Sequence, residues 1–181
     1  MEKSNEVKGL LQSALVEIYK SEKFCEAYLL KAQKLGLQGE KRRLRYFSVV
    51  WHNLKNYLHC DYFDLFGGSL EASHSETMQQ SVTGIQDFFA KTLSHFENIY
   101  DKLHTISNGL MPANGYVYAT CLLDKCNCIA EYIKEYRRII MEGEASSWSQ
   151  EYIQRIMMNE TTWKNVHDHY EEKEKSVGYE N

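Results

Sequence analysis

Apolar residues recur along most of the chain at three- and four-residue intervals, the spacing that lines one face of an α-helix. The first such segment, Asn5 to Leu35, carries Leu10/Leu11, Ala14/Leu15, Ile18, Cys25, Tyr28/Leu29 and Ala32. It stops at Gly36-Leu37-Gln38-Gly39, where glycine permits the positive φ that a helix end favours. The second, Glu40 to Phe66, repeats the period through Leu44, Phe47, Trp51, Leu54, Leu58 and Tyr62 and meets Gly67-Gly68. From Ser69 to Thr83 the period is lost in a stretch rich in Ser, Glu, Gln and Thr. It returns at Ile85 and continues through Phe88/Phe89, Leu93, Phe96, Tyr100, Leu103 and Ile106 to a break at Asn108-Gly109. Pro112 sits where a first helical turn tolerates it. A fourth segment then runs from Val117 to Glu142 and ends at Gly143. Ser147 with Gln150 three residues on resembles a capping box and opens a shorter fifth helix through Trp148, Tyr152, Ile156 and Trp163.

Two short turns and one long connection describe two antiparallel helical hairpins joined by a crossover. The expectation is an all-α, single-domain chain (1–181). It comprises a four-helix bundle over 5–143, a short fifth C-terminal helix over 147–172 and a disordered tail over 173–181.

Composition narrows the function classes. One proline in 181 residues argues against an all-β fold with many tight turns. A net charge of −4 supplies no basic surface for nucleic acid. The apolar runs are too short to span a membrane, and the N-terminus is charged rather than signal-like. Five cysteines without small-scaffold spacing read as free thiols in a reducing, cytoplasmic setting. No glycine-rich phosphate loop or nucleophile elbow is present.

Several stretches together resemble the ferritin family. Glu17-Ile18-Tyr19-Lys20-Ser21 looks like the Glu-Leu-Tyr-Ala-Ser stretch of the first ferritin helix. The glycines at 36, 39, 67 and 68 fall where that family places its first turn and second-helix terminus. Leu122 to Gly143 is similar without gaps to its final bundle helix, so the resemblance covers about residues 10–143. It implies a ferritin-like bundle whose iron-oxidising site would take ligands from all four helices. Carried over position by position, that site becomes Glu17, His52 with Lys55 in place of Glu-x-x-His, Glu97, and Lys125 with Cys128.

A lysine ammonium has donors and no acceptor, so it cannot ligate iron. Glu17 and Glu97 contribute −2 and Lys55 and Lys125 contribute +2, which makes the site near neutral. Lys55 lies among Trp51, Leu58 and Tyr62, and Lys125 among Cys121, Leu122, Cys128 and Ile129, on apolar stripes. The first reading is therefore a buried Glu/Lys network in place of iron, with no cofactor. In the bland alternative the lysines snorkel to a bundle edge. A second alternative keeps iron on Glu17, His52 and Glu97, with His52 and His59 roughly aligned on one helix. Cys126-x-Cys128 is too close for the usual zinc spacing, and His167-Asp168-His169 with Glu171 reads as a solvated face.

Three functions follow as expectations. The first is a structural or storage protein without ferroxidase activity, acting through self-association as a dimer or cage, with exposed aromatics such as Tyr46 or Tyr57 available. The second is a variant iron oxidoreductase. The third is a small-molecule- or protein-binding bundle.

Overall fold

The computed structural model describes residues 2–68 and 81–158. These residues are helical throughout apart from turns: α1 (Glu2–Lys34), α2 (Gln38–Phe66), α3 (Ile85–Leu110), α4 (Tyr116–Ala145) and α5 (Gln150–Met158). Among the described residues there is no strand, and no helix is long and apolar enough to cross a membrane. The expected connection lies mostly outside the described residues. So do the expected tail, the His167-Asp168-His169 stretch with Glu171, and any helix beyond Met158.

The glycine turns act as expected at two places. Gly36 (φ 75) and Gly67 (φ 64) take the left-handed conformation that ends α1 and α2. Elsewhere the ends move. α3 runs through Asn108-Gly109 to Leu110, and Pro112 lies in the turn before α4 rather than in its first helical turn. Gly143 does not stop α4, which continues to Ala145. This glycine is helical and buried, and a Cβ there would lie 2.5 Å from the Trp148 ring. Ser149, not Ser147, caps α5, accepting the Tyr152 N–H at 3.3 Å. Ser147 cannot serve because its φ of 51 is left-handed, whereas a cap residue needs an extended backbone.

Helix directions follow from which residues meet. Lys8 lies over the Tyr62 and Phe66 rings and Glu22 meets His52 and Lys55, so α1 and α2 are antiparallel. Glu17 meets Lys102 and Tyr28 packs on Phe88, which makes α1 and α3 antiparallel. Phe47 meets Tyr132 and Glu40 meets Tyr136, so α2 and α4 are antiparallel as well. α2 and α3 therefore run the same way, and Phe66 and Ile85 sit at opposite ends.

One core is shared by all four long helices. Leu11, Ile18 and Tyr28 of α1 bury with Leu44, Phe47 and Trp51 of α2, Phe88, Phe96 and Leu103 of α3, and Leu122, Ile129 and Tyr132 of α4. Each such side chain contributes about 1.5–3 kcal/mol on burial.

Candidate functional site

The helix pairings define levels along the bundle. Glu17 on α1 faces Lys102 on α3 at 2.9 Å and Lys20 at 3.0 Å. The same antiparallel registers bring Lys55 of α2 and Lys125 of α4 to this height. The interior here is hydrocarbon: Ile18, Leu54, Leu58, Ile99, Leu103 and Leu122 are buried. The lysines stand at its rim. Burial alone would raise the Glu17 carboxyl, but hydrogen bonds from Lys102 and Lys20 outweigh it and hold the group below its ordinary value. An open groove of about 590 Å³ runs beside the pair between α1 and α3, with Ser13, Glu17, Lys102 and Thr105 in its walls.

The six positions singled out in the sequence do not converge. Lys55 pairs with Glu22 at 2.5 Å rather than with Glu17, and His52 Nδ1 lies 2.8 Å from the other Glu22 oxygen. Helical phase explains the choice. Lys55 reaches over the Tyr19 ring, and Glu22 follows Tyr19 by three residues on that face, whereas Glu17 is turned about 200° away. Glu97 sits higher, paired with Arg137 at 2.6 Å on the bundle surface. Arg137 is twelve residues, about 18 Å, along α4 from Lys125. The third-helix residue level with Glu17 is thus Lys102. Lys125 is partly exposed, and Cys128 is buried in the core with Cys126. The alternative iron set of Glu17, His52 and Glu97 is divided between two separate ion pairs and the His52–Glu22 contact. Among the described residues no three His, Cys, Asp or Glu side chains gather as a metal site would require. The arrangement of these six positions does not fit iron.

Glu22 is nearly buried while its partner His52 is 55% exposed. Hydrogen bonds from Lys55 and His52 overcome burial and keep the Glu22 carboxyl low. Lys55→Met is expected to cost about 1–3 kcal/mol, because a buried carboxylate loses a charged donor. His52→Ala should cost less, since that ring is already half in water. Urea denaturation of both variants checks the order, and equal losses would contradict it.

The most deeply buried charges lie elsewhere, about 18 Å along α2 from Lys55. Glu40 and Arg43 form a fully enclosed ion pair, and Tyr136 O–H donates to the same Glu40 oxygen at 2.9 Å. The guanidinium carbon sits 4.2 Å from the Tyr136 ring centroid and 5.6 Å from those of Phe96 and Tyr132. An aromatic cage thus receives a cation that the chain itself supplies. Burial pulls the Arg43 pKa down, and the Glu40 charge works against that. Cys25, nearby and wholly buried, has its thiol pushed up to about 12, so it is inert as a nucleophile.

Sequence reasoning missed Glu22, Glu40, Arg43 and Lys102, yet two of them leave a signal. On α1 the apolar beat between Ile18 and Cys25 is missing, and Ser21 and Glu22, both buried, fill it. On α2 the beat of Trp51, Phe47 and Leu44 runs back onto Glu40.

No family model matches this chain. Nor does any curated protein match it significantly.

Proposed function

We propose that this chain is a ferritin-like, one-crossover four-helix bundle without a ferroxidase centre, acting as a self-associating structural or storage protein. The observation that carries this reading is the level of Glu17. Where relatives of the resembled family would gather carboxylates around iron, Lys55, Lys102 and Lys125 ring an interior closed by Ile18, Leu54, Leu103 and Leu122. A lysine ammonium has no lone pair to give a metal, and hydrocarbon offers it no ligand. The opposed directions of α1 against α2 and α3, with α2 parallel to α3, support the crossover topology.

The test is iron chemistry. Protein purified without chelator is expected to carry far less than one iron per chain and to oxidise ferrous iron no faster than buffer. Stoichiometric iron, or rapid oxidation abolished by Glu17→Ala, would overturn the reading. Light scattering on the same sample reports whether the chain associates.

A further inference from the structure

Two basic side chains of α2 converge on one carboxylate of α1. His52 Nδ1 lies 2.8 Å from Glu22 Oε1, and Lys55 Nζ lies 2.5 Å from Glu22 Oε2. Burial would raise the Glu22 carboxyl, yet hydrogen bonds from Lys55 and His52 hold it below its ordinary value, so it is ionised at neutral pH. An ionised carboxylate only accepts, so the proton of the His52 contact sits on Nδ1. In the neutral ring the lone pair is then on Nε2. The Glu22 side chain is 5% exposed and the His52 side chain 55%, so the carboxylate holds the ring from beneath. Nε2 has no partner among the described residues and is not one of their buried polar atoms, which puts its lone pair in reach of solvent.

What this nitrogen can take follows from its surroundings. Among the described residues no third metal-ligating side chain joins His52 and Glu22, so a metal ion would be poorly held. More than half of the imidazole is in water, so a small substrate is not enclosed there for acid–base turnover. The arrangement suits a nucleophile that meets an anionic group. The lone pair is exposed, and a carboxylate behind the ring holds the positive charge that grows as the pair is used. Lys55, bonded to the other oxygen of the same carboxylate, places an ammonium beside the ring. Val49 and Asn56, about one turn away on either side along α2, are short and exposed, which leaves room for another protein to approach.

We propose that His52 is a phosphoryl-acceptor site, taking the group on Nε2 from a nitrogen-bound donor such as a phosphohistidine of another protein. The Nε2 lone pair attacks phosphorus and an N–P bond forms. The donor's own P–N bond breaks, its electron pair stays on the donor nitrogen, and the donor leaves as a neutral amine or imidazole carrying its own protons. Nothing is oxidised or reduced, and bonds of one kind form and break. The His52 ring becomes an imidazolium whose Nδ1–H stays on Glu22, while Lys55 stands beside the phosphoryl oxygens. Glu22 is a positioning residue here, since it acts through the ring. The assignment is independent of the iron chemistry above, and either can fail alone.

The experiment incubates the full-length chain with phosphoramidate, whose leaving group is ammonia. Uptake is followed by intact mass and by peptide mapping kept at alkaline pH, where phosphohistidine survives. His104 is an internal control: it is exposed on α3, and its Nδ1 lies 3.3 Å from the Asn108 amide rather than against a carboxylate. His52 is expected to be phosphorylated about tenfold faster than His104, and Glu22→Gln to remove that advantage. His52→Gln, at a half-exposed position, is expected to abolish the fast phase and leave the slow one. Labelling of His52 no faster than His104 would overturn the assignment, as would a fast phase that survives His52→Gln. An advantage that persists in folded Glu22→Gln protein would overturn it as well. If Glu22→Gln fails to fold, the ratio of His52 to His104 in the parent chain decides alone.

Discussion

Arg43→Met is expected to lower the free energy of unfolding by about 3–5 kcal/mol, the largest single-residue effect we anticipate. The guanidinium is enclosed by Phe96, Tyr132 and Tyr136 and bonded to Glu40, so its removal takes the charged donor from a carboxylate sealed in the core. Glu40→Gln should cost less, since an amide can still accept from Tyr136 and its loss of charge leaves Arg43 among aromatic faces that tolerate a cation. The double variant Glu40→Leu with Arg43→Met is expected to recover most of the loss, because a buried pair replaced by hydrocarbon of similar volume is often neutral. Urea denaturation followed by circular dichroism measures all three. A double variant as unstable as Arg43→Met would mean that the pair contributes net stability, contrary to this account.

Acid is expected to destabilise the protein well before its carboxylates protonate. His95 stacks 3.7 Å from Phe24, and burial lowers its pKa from 6.5 to about 3, with Glu17 opposing that shift and Lys102 adding to it. An unfolded chain takes up this proton near pH 6.5 and the folded chain not until about pH 3. Between those values the unfolded state binds more protons, so stability falls as the pH falls. The slope is about 1.4 kcal/mol per pH unit, or about 2 kcal/mol lost by pH 5. Glu17 and Glu22, whose carboxyls are held low, add their own loss only below the ordinary carboxylate value of 4.5. His95→Phe keeps a ring on Phe24 and removes the proton site. Its urea midpoint should therefore change less than the parent's between pH 6.5 and 5, and matching profiles would show that His95 does not carry the effect.

Much of the architecture is legible in the sequence alone. The helical period over 5–35, 40–66, 85–106 and 117–142 locates the four long helices within a few residues of their observed limits. Gly36 and Gly67 mark real ends because each takes a positive φ. Gly143 misled because a glycine that admits a neighbouring ring looks, in sequence, like one that ends a helix. The fifth helix was legible in its start but not its cap, since Ser146, Ser147 and Ser149 all offer a hydroxyl and only the bend selects among them.

The charged positions divide differently. Periodicity tells which side chains share a face of their own helix, since about 100° per residue is a property of the helix alone. The sequence therefore determined the helices, their apolar stripes and the short turns that make antiparallel hairpins. It did not determine that Lys102 rather than Glu97 stands level with Glu17, nor that Lys55 turns to Glu22. Those pairings depend on the rotation and axial offset of one helix against another, and only the packing of the shared core sets both. Nor could it decide that Arg43 is enclosed, because burial of a charge is conferred by the rings of Phe96, Tyr132 and Tyr136, which arrive from two other helices.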